Sequence, residues 1–100
     1  MDIIKVNNAM ANKTRFDILN WLKNPEANFP AHQELKHFDF GVCAMYIKDK
    51  SGLSQSTISS YLTTLQNVDL INPTRVGKWT YFKRNEKTIN LYLQKLTELL

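Results

Sequence analysis

Between Cys43 and Asn67 the chain carries two short helical patterns separated by a single glycine, and this pair limits the possible folds more than any other feature. Ala44 and Ile47, with Met45 beside them, mark a short amphipathic helix that ends at Ser51-Gly52. Gly52 suits the left-handed position after a helix, because it has no Cβ to clash. Leu53 follows, and Ser54 is placed to cap the next helix by accepting a backbone N–H. In that second helix, about residues 54–67, Ile58, Leu62 and Leu65 recur at steps of four and three and form one narrow apolar stripe. The opposite face is Gln55, Ser56, Ser59, Ser60, Thr63, Gln66 and Asn67, and no charged residue occurs between Ser51 and Val68. A glycine-bearing turn leading into a helix with a hydrogen-bonding outer face predicts a helix-turn-helix unit.

The flanking segments complete a small domain. Leu70 to Val76 and Trp79 to Lys83 are rich in β-branched and aromatic residues, and the tip between them is Gly77-Lys78. This predicts a β-hairpin wing over about 71–83. Pro73 has no N–H and must sit at an edge or bulge. Trp79 and Tyr81 fall on one face of the hairpin and Phe82 on the other, so at least one side packs on the core. Upstream, Ile3, Val6 and Met10 share one side of a first short helix, with Ile4 beside them. Asn12 can cap a second helix, which directs Phe16, Leu19 and Leu22 inward and ends before Asn24-Pro25. Residues 24–40 hold no sustained period and predict a long connection. In the last helix Ile89, Leu93, Leu96 and Leu100 share a stripe, with Tyr92 and Leu99 alongside. That is more apolar surface than a small monomer can cover, and a partner subunit is the simplest cover for it. The expected fold is mainly α with a small β-hairpin, ordered α-α-α-α-β-β-α, one domain over residues 1–100.

Composition bounds the function classes. One hundred residues, 43% hydrophobic and 22% charged, are those of one ordinary globular domain. No apolar stretch approaches the roughly 20 residues of a spanning helix, so no membrane partner is expected. The first residues lack the pattern of a secretion signal, and the lone cysteine, Cys43, makes no internal disulfide. A cytoplasmic setting is expected. Charges balance over residues 1–40, so the whole net charge of +4 lies in residues 41–100. Between Arg75 and Lys87 stand Arg75, Lys78, Lys83, Arg84 and Lys87 against Glu86 alone. A local basic patch on a near-neutral body suits a polyanion such as double-stranded DNA. No Ser/His/Asp set, phosphate-cradling glycine loop or metal-ligand helix occurs, so neither an enzyme nor a bound cofactor is expected.

Three stretches together resemble the ArsR/SmtB family of winged helix-turn-helix repressors. Ala11-Asn12-Lys13-Thr14-Arg15-Phe16-Asp17-Ile18-Leu19 is similar to the family's A-x-x-x-R-x-x-I-L helix. Leu53-Ser54-Gln55-Ser56-Thr57-Ile58-Ser59-Ser60-Tyr61-Leu62 is similar to its recognition helix, and Leu70-Ile71 through Arg75-Val76-Gly77-Lys78-Trp79-Thr80-Tyr81-Phe82 to its wing. The likeness spans the chain except residues 24–40. It implies a homodimer built through the first and last helices, with Ile3, Ile4, Val6, Met10, Ile89, Tyr92, Leu93, Leu96 and Leu100 at the interface. It also implies transcriptional repression, with two recognition helices set into successive major grooves. Family members commonly carry Arg or His where this chain has Ser60 and Tyr61. Base readout is therefore expected from uncharged groups: Gln55 toward adenine, with Ser56, Thr57, Ser59, Ser60 and Tyr61 beside it. Phosphate contacts fall to Lys48 and Lys50 before the turn and to Arg75 and Lys78 on the wing, with Lys13 and Arg15 as further candidates.

Effector chemistry is less defined. Metal-sensing relatives place Cys-x-Cys where this chain has Cys43-Ala44-Met45, and a thioether is a poor ligand for zinc or arsenite. The family's second site uses Asp and His on the last helix, and residues 87–100 contain neither. His32, His37 and Cys43 are weak zinc candidates without a closed motif, and surface histidines are the plainer account of the first two. Cys43 is also a candidate redox or effector thiol. The effector is left unassigned. The alternative to DNA binding is a winged-helix module for protein partners, to which the charge-free helix lends weight. The cationic hairpin argues against it, because a protein-binding module has no need of Arg75, Lys78, Lys83 and Arg84 together.

Overall fold

The computed structural model describes all 100 residues. Helix α1 spans Ile3–Met10, and Asp2 caps it by accepting the N–H groups of Ile4 and Lys5. Helix α2 spans Lys13–Lys23, and the Asn12 side chain accepts the Arg15 N–H at 3.0 Å. Arg15 then turns back on α1: its guanidinium donates to the carbonyls of Ala9 at 2.6 Å and Asn8 at 3.2 Å. Those carbonyls lie in the last turn of α1, where Asn8 otherwise accepts only the cap N–H of Ala11 and a cation meets the negative end of the helix dipole. Arg15 is therefore an internal cap and not a free phosphate contact.

A single turn, α3 (Pro25–Asn28), begins on its proline, and residues 29–41 lead to a two-residue strand β1, Val42–Cys43. Then come α4 (Ala44–Ser51), α5 (Gln55–Asn67), β2 (Ile71–Val76), β3 (Trp79–Arg84) and α6 (Glu86–Leu99). The strands form one antiparallel sheet in the order β1-β3-β2. The expected order of elements holds, with α3 added inside the long connection and β1 just after it. Pro73 lies on the edge strand β2 opposite Phe82, where a missing N–H leaves the ladder intact.

The core gathers Ile18, Leu19 and Leu22 of α2, Ile47 of α4, the α5 stripe Ile58, Leu62 and Leu65, and Leu70, Ile71, Val42 and Phe82 around the sheet. Three residues depart from expectation. Phe16 points outward, 52% exposed, because the phase of α2 that packs on the core is set by Ile18, Leu19 and Leu22. Val6 and Tyr92, expected at a subunit interface, are buried in the chain's own core where α1 meets α6, and the Tyr92 hydroxyl donates to the Asn7 side chain there.

Both faces of β3 are covered. Phe82 packs into the main core, while Tyr81 on the opposite face meets His32 from the long connection. His32 is only 5% exposed, which corrects its reading as a surface histidine. Its ring lies among those of Tyr46, Trp79 and Tyr81, with centroids 4.9 to 5.5 Å away. One side chain thus pins residues 29–41 across the wing.

Candidate nucleic-acid interface

The turn between α4 and α5 is built from serines around one glycine. Gly52 adopts φ +71° and donates its N–H to the Lys48 carbonyl at 3.1 Å. The Ser51 hydroxyl donates to the same carbonyl at 2.7 Å and accepts the Leu53 N–H at 3.1 Å. Ser54 accepts the Thr57 N–H at 3.2 Å and donates to the Thr57 hydroxyl at 2.9 Å. The Thr57 side chain is thereby engaged in the cap, half-buried, and is the least free of the expected base-reading groups.

With Ile58, Leu62 and Leu65 held in the core, α5 turns the rest of its circumference outward. Gln55, Ser56, Ser59, Ser60, Thr63, Gln66 and Asn67 are all exposed, with the Ser56 hydroxyl 3.3 Å from that of Ser54. Tyr61 is not part of it. Its ring is half-buried on the α2 side, where the Asn12 amide donates to its hydroxyl at 3.4 Å and the Arg15 guanidinium lies 5.2 Å from the ring centroid.

The basic residues separate into two groups. Lys78 and Arg75 are exposed at the wing tip. There the Lys78 ammonium stands 5.0 Å from the Trp79 ring centroid, and Arg75 Nε donates to the Gly77 carbonyl at 2.9 Å. Lys48 joins them across a groove bounded by α4, α5 and the wing, whose lining also includes Gln55 and Ser59. Four other cations make contacts within the chain. Lys50 lies over the Trp21 and Phe29 rings at 5.2 and 5.9 Å, at the α2–α3 corner. Lys83 donates to the Asp39 carbonyl at 3.3 Å, and Lys13 pairs with Asp17 at 2.6 Å. Arg84 pairs with Glu86 at 2.6 Å and donates to the Leu19 carbonyl at 3.2 Å. The run of cations seen in sequence thus yields two, Arg75 and Lys78, at the tip of the wing.

His32, His37 and Cys43 do not converge. His32 Nδ1 accepts the Glu34 N–H at 3.2 Å and lies 3.1 Å from the Tyr81 hydroxyl, while His37 is exposed and its Nδ1 accepts the Asp39 N–H at 3.3 Å. No cluster of three or more His, Cys, Asp or Glu residues is assembled for a metal. Cys43 is 2% exposed, in β1 opposite Tyr81 and just before α4, which does not offer its thiol to solvent oxidants.

Burial raises the Tyr81 phenol above its ordinary value of 10.0, and the nearby Cys43, Glu34 and Tyr46 act in the same direction. The folded chain therefore keeps a proton that the unfolded chain releases, and the stability tied to that proton is complete below about pH 10 and lost as pH rises past it. Thermal unfolding monitored from neutral pH into that range is expected to show a fall in midpoint that is shallower in Tyr81→Phe. That variant starts lower at neutral pH by roughly 1 kcal/mol, through loss of its hydrogen bond to His32. Equal alkaline slopes would contradict the assignment.

Comparison with known proteins adds the following. No protein-family model matches the chain. YbzH, an uncharacterized HTH-type transcriptional regulator of Bacillus subtilis (strain 168), is 44% identical over 89 residues, 89% of either chain. A Halobacterium salinarum protein named "Putative arsenical resistance operon repressor ArsR2" is 29% identical over 96 residues, 96% of this chain and 69% of that one. Among solved structures, an ArsR-like transcriptional regulator from Rhodococcus sp. RHA1 superposes with a TM-score of 0.71 at 20% identity, over 97% of this chain and 77% of the other. The homodimeric winged helix-turn-helix DNA-binding domain of a possible ArsR-family regulator from Mycobacterium bovis gives 0.66 at 20% identity, with the same coverage.

Proposed function

The chain belongs to the helix-turn-helix transcriptional regulators of the ArsR/SmtB winged-helix type, and from that premise we propose that it binds duplex DNA as a cytoplasmic homodimer and represses transcription at the sites it occupies. It acts by binding and not by catalysis. The observation that carries this reading is the combination of a fully exposed, uncharged hydrogen-bonding face on α5 with two exposed cations at the wing tip. The first suits base edges in a major groove, where amides and hydroxyls read donor and acceptor patterns. The second suits phosphates, which give affinity but carry no sequence. Lys48, across the groove from Lys78, adds a third cation on the same side.

The subunit contact is assigned to α1 and α6. Ile4 is 64% and Leu93 53% exposed, and Leu100 is 99% exposed. Ile3, Met10, Ile89 and Leu96 are partly buried against the core behind them. Phe16, turned outward on α2, extends the apolar surface beside Ile89 and Tyr92. The homodimeric Mycobacterium bovis domain, alike in fold, supports a two-fold arrangement. Two-fold helix-turn-helix dimers read half-sites about 34 Å apart.

The division of labour between helix and wing is testable on a duplex selected from a random pool. Replacing Gln55 with alanine is expected to cost roughly 1–3 kcal/mol on the selected duplex and to relax the choice at one base pair. Replacing Arg75 and Lys78 with alanine should instead weaken binding to every duplex and lower the salt dependence by about one for each cation removed. If the two variants behave alike, α5 is not in the groove.

A further inference from the structure

We infer that the groove between the helix-turn-helix and the wing is also a binding site for a small aromatic carboxylate, whose occupancy excludes DNA. The exclusion rests on the DNA-binding reading above; the occupancy does not. The groove has a volume of about 460 Å³, within the range of roughly 300–1,000 Å³ common for small-molecule sites. Its lining is half hydrophobic, and Ile58 and Leu62 within it are 2% and 3% exposed, so its base is continuous with the core. A purely electrostatic phosphate cradle has no use for that apolar base. Trp79, half-buried, lines one side of the groove.

The charges at the rim set the ligand's sign. Lys78 has no carboxylate partner and stands over the Trp79 ring at 5.0 Å, while Lys48 is 3.9 Å from Asp49, which also lines the groove. Two cations against one anion favour a single negative charge. A flat apolar body against Trp79, Ala44 and the 41%-exposed Met45, with one carboxylate toward Lys78, satisfies both the lining and the rim. Such a ligand would cover Gln55 and Ser59, the groups proposed to read bases. Release of DNA would then follow from direct competition.

The test uses the full chain, isotope-labelled for amide NMR, with 2-naphthoate as the probe and 2-naphthalenemethanol as its uncharged counterpart. Saturable shifts are expected at Ala44, Ser59, Lys78 and the Trp79 indole N–H, with the alcohol roughly fivefold weaker. Lys78→Gln, an exposed change at the wing tip, should weaken 2-naphthoate by a similar factor while the spectrum remains that of the folded chain. No saturable shift, equal binding of the alcohol, or shifts confined to Ile4 and Leu93 on the outer apolar face would overturn the site. In a duplex-binding assay, 2-naphthoate should raise the apparent Kd as its own site fills. Filling of the groove with an unchanged duplex Kd would overturn the competition. Failure of the DNA-binding reading is distinct, because it appears as no duplex binding before any probe is added.

Discussion

Replacing Leu93 or Ile4 with glutamate is expected to convert the protein to monomers and to weaken its binding to a two-half-site duplex by about 10²–10⁴. Both side chains lie more than half exposed, on helices whose inner faces are already packed, so the fold itself loses little. What is lost is the cover for an apolar surface that also includes Leu100 and Phe16, because a carboxylate cannot be taken out of water there without a partner. Once the subunits part, the second half-site contact is no longer intramolecular, and the advantage of effective concentration disappears. Sedimentation should report the single-chain mass of 11.7 kDa. A dimer that survives both substitutions would move the interface away from α1 and α6.

The second large effect concerns stability. Gly41→Ala should unfold much of the protein, with a loss of at least about 3–5 kcal/mol. Gly41 is buried beside β3 at φ +92°, a backbone conformation that disfavours a side chain. A Cβ there would lie 1.9 Å from the Phe82 carbonyl oxygen and 2.4 Å from its carbonyl carbon. Those atoms are main chain in the central strand, so no rotamer change relieves the overlap. Either residues 29–41 lift off the wing, taking His32 out of its aromatic surroundings, or β3 moves. Gly52→Ala is the control: its φ is also positive, +71°, but open space surrounds it, so it costs only the left-handed strain of roughly 1–2 kcal/mol. Comparable denaturation midpoints for the two variants would show that close approach to β3 does not matter.

These effects mark where the sequence was informative. The helix-turn-helix could be read because each of its determinants is local: a left-handed glycine, a serine cap and an apolar repeat are all encoded within 17 residues, Ser51 to Asn67. Every residue assigned to the polar face of α5 is exposed. Long-range pairing hid the rest. His32 is buried by Tyr46, Trp79 and Tyr81, the last of them 49 residues away, and a two-residue β1 has no alternation to detect. The outward turn of Phe16 followed from which face of α2 the core selects, a matter of helix phase that Ile18 and Leu19 decide jointly with α5 and the sheet. Charge was the least faithful guide. Lys83 and Arg84 belong to the same basic run as Lys78, yet they lie at the base of the hairpin, held by Asp39, Glu86 and Leu19, at the far end of β3 from the turn that carries Lys78.

A fluorescence-anisotropy titration of a labelled duplex with the full chain, repeated across a series of salt concentrations, addresses the DNA-binding proposal most directly. The account predicts tight binding at low salt that weakens linearly on logarithmic axes, by about 0.9 for each phosphate neutralised by Lys48, Arg75, Lys78 and their counterparts in the second subunit. Absence of binding to any duplex at low salt, or binding indifferent to salt, would contradict it and leave the exposed face of α5 to a protein partner.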